Sequence, residues 1–332
     1  MLTGVHLAEA DLRDLPVAAH LSAEEILAHP RFPFARQAYV DAILAIYEHD
    51  PFLSRLLLET GRTVLFIGIM YLHARHDRAD RATWPTPRII TEQTVAYGVA
   101  SPRRVHDLVW RFISTGYLAR RAVPQDRRVC VLMPTQRMIA HDQDVLASHY
   151  LPLQILYPQP GYRPIIERDP AFQLRQRCVS ANLLARGARI MADDPVMRPF
   201  LRRDAGVMIL LKLMQMVGPM GEATPFELSF SDIGIRIGVS RTHVRNLLEE
   251  AERQGLVRLS RGASRFAEPR PALMRAFDRF VAESMVAHDL IYNLALARGV
   301  DMTQTEKTEG LGCECLDAAH SAENHRPTLT FA

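Results

Sequence analysis

Residues 91–118 read TEQTVAYGVASPRRVHDLVWRFISTGYL and residues 231–257 read SDIGIRIGVSRTHVRNLLEEAERQGLV, and the two stretches lie over one another with one insertion. Pro85 falls on Pro225, Thr91 on Ser231, Val95 on Ile235, Gly98 on Gly238 and Val99 on Val239. Ala100 is extra in the first copy, and the match resumes with Ser101 on Ser240, Val105 on Val244, Leu108 on Leu247 and Gly116 on Gly255. Thr91 and Ser231 are placed to cap a short helix. That helix ends at Gly98 or Gly238, where glycine accepts a left-handed residue. Ser101 and Ser240 then cap a second helix, with Pro102 at a first helical position that needs no N–H.

The second helix gathers Val105, Leu108, Val109, Phe112 and Ile113 on one face in the first copy, and Val244, Leu247, Leu248 and Ala251 in the second. Gly116 and Gly255 end it and lead into a hairpin. Helix, turn, helix and hairpin make a winged helix-turn-helix. The predicted fold class is therefore mainly α with small β wings, in two tandem units from an internal duplication. Such a helix presents its exposed N-terminal side chains to the major groove of DNA. The candidate contacts are Arg103, Arg104 and Asp107 in the first copy, and Arg241, Thr242, His243, Arg245 and Asn246 in the second. Arginine can pair bidentately with guanine and asparagine with adenine. The same residues on a solvated face, or on a protein-docking module, are the plainer alternatives.

The scheme extends beyond these stretches. Tyr39, Ile43, Ile46 and Tyr47 recur at helical spacing, Asp50-Pro51 breaks the chain, and a second helical run reaches Leu72. Residues 74–87 read as a polar loop, and a closing helix runs from about Thr135 to His149. Gln173 to Met191, an Asp194-Pro195 break, the apolar run Val207–Val217 and a closing helical region Pro269–Ala297 repeat that order over roughly 140 residues. The predicted domains are a loosely attached lead-in with a short helix near Ala23–Ala28 (1–30), a first winged unit (31–150), a proline-marked linker (151–168), a second unit (169–298) and a disordered tail (299–332).

Composition agrees with a soluble globular chain: of 332 residues, 48% are hydrophobic and 23% charged, with a net charge of +3. That charge does not by itself demand nucleic acid. Lys212 and Lys307 are the only lysines, which fits a GC-rich coding sequence at least as well as a choice for DNA. The opening residues carry Glu9, Asp11 and Asp14 with no apolar signal core, and no apolar run is long enough to span a bilayer. Four scattered cysteines give no disulfide framework, so a reduced, cytoplasmic protein is expected. Phosphate loops, zinc-protease motifs and nucleophile elbows are absent, and no enzyme or cofactor is expected. Cys313 and Cys315, with His320 and His325 beyond, fit no standard zinc spacing. Trp110, opposite the apolar stripe, is expected to be partly buried against a neighbouring helix, and Cys130 to be a packed thiol.

Residues 117–135, with β-rich arms around a polar tip at Pro124–Arg128, resemble the wing of MarR-type regulators. The matching residues are Asp126, Arg127 and Arg128, with Thr135 starting the next helix. The resemblance implies that Arg128 enters a minor groove or meets phosphate while Asp126 supports it, and a narrow minor groove does attract arginine. Arg120 and Arg121 on the preceding arm, and Arg127, join the candidate DNA contacts. The likeness covers mainly Thr91–Thr135. The second wing has no Asp-x-Arg tip and offers Arg258, Arg261 and Arg265 instead, of which Arg261 and Arg265 are candidates. The family acts as dimers and often answers to small molecules, so a homodimer or a built-in pseudo-dimer, and an effector that no residue here identifies, are further expected partners beside double-stranded DNA. The expected function is a sequence-specific transcription regulator. A tandem winged-helix replication initiator and a protein-interaction module are the alternatives.

Overall fold

A computed structural model describes residues 21–48, 53, 56–57, 60–96, 98, 100–123, 126–180, 194–219, 229–260 and 267–306. They are mostly helical, with two small antiparallel sheets of two strands each. The first half contains α1 (Ala23–Ala28), α2 (Phe32–Tyr47), α3 (Thr60–Ala74), a single 3-10 turn (Arg81–Thr83), α4 (Pro87–Ala96), α5 (Pro102–Ser114), β1 (Leu118–Val123), β2 (Asp126–Pro134) and α6 (Gln136–Leu156). The second contains α7 (Arg163–Ile166), α8 over residues 170–180, α9 (Arg198–Leu201), α10 (Gly206–Val217), α11 (Phe230–Ile237), α12 (Arg241–Arg253), β3 (Val257–Leu259), β4 (Ala267–Pro269) and α13 (Pro271–Glu306).

Local chemistry sets the ends of the paired elements. The Ser101 hydroxyl accepts from the Arg104 amide and the Ser240 hydroxyl from the His243 amide, satisfying donors that a helix start leaves open. Below these caps Val105, Leu108, Val109 and Phe112, and Val244, Leu247, Leu248 and Ala251, are all buried. After α5 the Thr115, Gly116 and Tyr117 amides donate to Arg111, Ile113 and Phe112; after α12 the Gln254, Gly255 and Leu256 amides donate to Glu250, Glu252 and Ala251. Gly116 and Gly255 stand at φ +75° and +71°, which a side chain resists. Each hairpin closes the same way, with Thr135 donating to Tyr117 and Arg270 to Leu256.

Several boundaries differ from the sequence expectation. The first helix of each pair begins earlier than Thr91 or Ser231. Thr86 caps α4 through the Ile89 amide and Ser229 caps α11 through the Asp232 amide. Thr91 lies inside α4, its hydroxyl returning to the Pro87 carbonyl at 2.7 Å. Pro87, preset for a first helical position, carries the start back by a turn. The stretch before it is not simply loop, because Trp84 is buried and its Nε1 donates to the Asp77 carbonyl. The linker also starts later. Helix α6 runs straight through Pro152, held by a buried stripe of Leu146, Tyr150, Leu153 and Leu156. Helix α13 continues past 298 to Glu306. The Asp50-Pro51 break, the Gly218–Pro225 loop beyond Pro219, most of the Gln173–Met191 helix and the tail beyond Glu306 lie outside the described residues.

Between the halves lies one continuous apolar core. Helix α2 packs on α6 and on α10, and α13 packs on α6 and on α1. The lead-in is therefore docked over residues 21–30: Ile26 is fully buried, and the Leu21 amide donates to Asp289 on α13. Polar groups cross the same seam. Arg36 of α2 pairs with Asp278 of α13 at 3.0 Å and donates to the Gly218 carbonyl that ends α10. Glu48 receives Lys212 at 2.7 Å and Arg236 at 3.1 Å. Burial pushes the Glu48 carboxyl up, but the two cations outweigh it and hold it below the usual range. Tyr150 donates to the His288 carbonyl and Tyr162 to Asp289. The two halves of the chain thus share one interior.

Candidate nucleic-acid interface

Helix α5 separates its chemistry cleanly, with the apolar stripe inward and Arg103, Arg104, His106, Asp107, Trp110 and Arg111 all exposed. Three arginines stand against one aspartate on this helix. Trp110, expected to be partly buried, is 66% exposed. It follows Arg103 by seven residues, two helical turns, so it shares that outward face. The helical period carried this signal, and so did it for Arg111, which the sequence reading passed over.

The hairpin beside α5 divides its arginines. Arg121 pairs with Val131 and Arg120 with Leu132, and successive strand residues point to opposite faces. Val123 and Val131 pack with Trp84 in a small cluster under the hairpin, and Arg121 shares their face. Arg120 points the other way, on the face of Leu132. Arg120 and Arg128 are exposed and suit an external anion; Arg121 is exposed at the rim of a cleft beneath the hairpin. Asp126 reaches Arg128 through the backbone and also holds Arg81. Its Oδ1 accepts from the Arg128 backbone amide at 3.2 Å, and its Oδ2 pairs with Arg81 at 2.9 Å. It therefore braces the Arg128 backbone and ties the hairpin to the loop before α4. Arg127 lies on β2. Cys130 is half-buried, its Sγ near the Val131 carbonyl.

The second helix pair and hairpin present a more neutral surface. Arg241, Thr242, Arg245 and Asn246 are exposed on α12, as expected. Yet three arginines there meet three glutamates on the same helix. Arg245 lies 3.8 Å from Glu249, and Glu250 pairs with Arg203 from the segment before α10. Arg258 pairs across the strands with Glu268, and Arg236 with Glu48. His243, a candidate contact, turns its Nε2 to the Asp204 carbonyl at 2.9 Å. Arg261 and Arg265 lie outside the described residues. On α5 and β1, by contrast, no described carboxylate forms an ion pair with Arg103, Arg111, Arg120 or Arg121.

No protein-family model, curated protein or solved structure matches this chain. Its chemistry therefore has to be read from its own surface. Within the described residues no helix is long and apolar enough to cross a membrane. The face of α5 with Arg120 and Arg128 of the hairpin offers a row of guanidinium groups, one carboxylate and one indole. Those groups can donate to phosphate, to base edges and to an aromatic face.

Proposed function

We propose that this protein is a sequence-specific binder of double-stranded DNA that regulates transcription. In this reading both halves are copies of one winged helix-turn-helix, and α5 enters the major groove. The observation that carries it is the outward face of α5, basic and aromatic, opposite a fully packed stripe and flanked by an arginine-bearing hairpin. Matching caps and turns around Gly116 and Gly255 support the duplication. Arg103 and Arg104 stand where base edges are met, and Arg120 and Arg128 where a backbone or minor groove is met.

The two copies divide the work. The equal numbers of arginines and glutamates on α12, with Arg245 beside Glu249, favour the second copy as a scaffold that holds the first, with fewer contacts of its own. Selection of bound duplexes from a random pool tests the function. The expected result is one short, asymmetric consensus whose affinity falls steeply as salt rises, because phosphate contacts release counterions. A pool that stays random, with no salt-sensitive retention, refutes the proposal.

A further inference from the structure

A cavity of about 430 Å³ lies beneath the first hairpin, on the side away from Arg120. Its size falls within the range of small-molecule sites. The floor is apolar, formed by Trp84 with Val123, Val131 and Met133. The rim carries His76, Arg78 and Arg121, and no carboxylate among the described residues lines it.

The nearby acids are engaged elsewhere. Asp77 accepts the Ala79 amide and Asp80 the Ala82 amide, so both serve as local caps in the loop. Asp126 holds Arg81. Among the described residues no carboxylate pairs with Arg78 or Arg121. Burial, and then the Arg78 charge, hold the His76 imidazole below its usual range, so at neutral pH it is an uncharged donor or acceptor. Two guanidinium groups with no described carboxylate paired to them therefore stand over an apolar floor.

We propose that this cleft binds an amphipathic carboxylate, a small molecule with a compact apolar body and one anionic head. The body replaces water over Trp84 and the valines, and the head pairs with Arg78 and Arg121. A bare phosphate or a nucleic-acid backbone would leave the floor unsatisfied, and an uncharged hydrocarbon would leave the arginines unpaired. The site spans the loop and the hairpin, which are tied by Arg81–Asp126 and by the Leu132 amide on the Pro85 carbonyl at 2.9 Å.

The chain has two tryptophans, Trp84 at the cleft and Trp110 on the surface of α5. Trp110→Phe leaves Trp84 as the one indole emitter, so its fluorescence reports the cleft. Titration of that variant with cyclohexanecarboxylate, which is transparent at the exciting wavelength, is expected to give a saturable change. Cyclohexanecarboxamide, with the same body and no charge, is expected to bind about tenfold more weakly, as is the acid to Arg78→Gln or Arg121→Gln. Both arginines are exposed, and circular dichroism checks that the fold is kept. Equal binding of acid and amide, binding unchanged in both arginine variants, or no change at Trp84 overturns the proposal. The titration contains no nucleic acid, so its result is separate from that of the DNA selection.

Discussion

Arg120 and Arg121 are neighbours in the chain, yet they serve opposite sides of one hairpin. Strand alternation puts Arg120 on the face of Leu132 and Arg121 on the face of Val131, under the hairpin toward Trp84. If α5 reads DNA, Arg104→Ala should weaken binding to the selected site by roughly 1–3 kcal/mol and relax its sequence preference, the usual cost of one good base contact. Arg128→Ala should lower affinity evenly across sequences, and Arg121→Ala should change it little; a filter-binding series on matched and mismatched duplexes separates the three. Arg245→Ala is expected to cost less than Arg103→Ala, because Glu249 already sits 3.8 Å from Arg245 and no described carboxylate pairs with Arg103. A larger loss at Arg245 would reverse the roles assigned to the two copies. The types of these residues were plain in the sequence. Their directions needed the register of β1 on β2 and the helical phase of α5, and for Trp110 the phase alone would have sufficed.

At the level of elements, the caps and turns carry measurable stability. Ser101→Ala and Ser240→Ala each remove the acceptor for a helix-start amide and should cost about 1 kcal/mol, read as a lower urea midpoint with an unchanged slope. Gly116→Ala and Gly255→Ala should each cost about 1–2 kcal/mol. At Gly116 (φ +75°) and Gly255 (φ +71°) an added Cβ meets nothing within 4 Å, so that cost is backbone strain alone. The second caps and the glycine turns were legible because serine, proline and glycine act locally. The first caps lie earlier, at Thr86 in place of Thr91 and, by only two residues, at Ser229 in place of Ser231. Thr91 and Ser231 looked like helix starts, but Pro87 and the buried anchors Ile90 and Phe230 draw α4 and α11 back to Thr86 and Ser229. Pro152 misled in the opposite direction. A proline interior to a helix usually breaks it, and here the buried residues on either side hold the turn in place.

At the scale of the molecule, one core implies one cooperative unit. Because α2 packs on α10 and α1 on α13, a fragment ending near residue 157 loses partners for several buried faces. The full chain should melt in a single transition, while the isolated first half should show no cooperative transition of its own by calorimetry. Two separate transitions would restore the view of two independent domains. The seam also carries a pH dependence. His149 and His288 stack at 4.8 Å, each with Nδ1 on the carbonyl four residues before it. Burial lowers both pKa values, that of His288 to about 3, with the facing imidazole and Arg177 adding to the effect at His288. An unfolded histidine takes up its proton near pH 6.5 and the folded one resists it. Stability from His288 is therefore fully present above that pH and is lost as pH falls toward 3, by up to about 1.4 kcal/mol per pH unit, and His149 acts in the same direction. Urea midpoints between pH 7 and pH 4 should show this, with a shallower slope in His288→Gln; an equal slope would show that the pair does not set it. What the sequence determined alone is the pair of helix–turn–helix–hairpin segments, because caps, glycine turns and amphipathic stripes are local and repeat in order. Only the tertiary structure decided that the halves share one interior, that residues 21–30 are docked, that Glu250 of α12 is taken by Arg203, and that a basic cleft opens under the first hairpin. Each of these depends on side chains distant in the chain meeting in space, a pairing that no local pattern encodes.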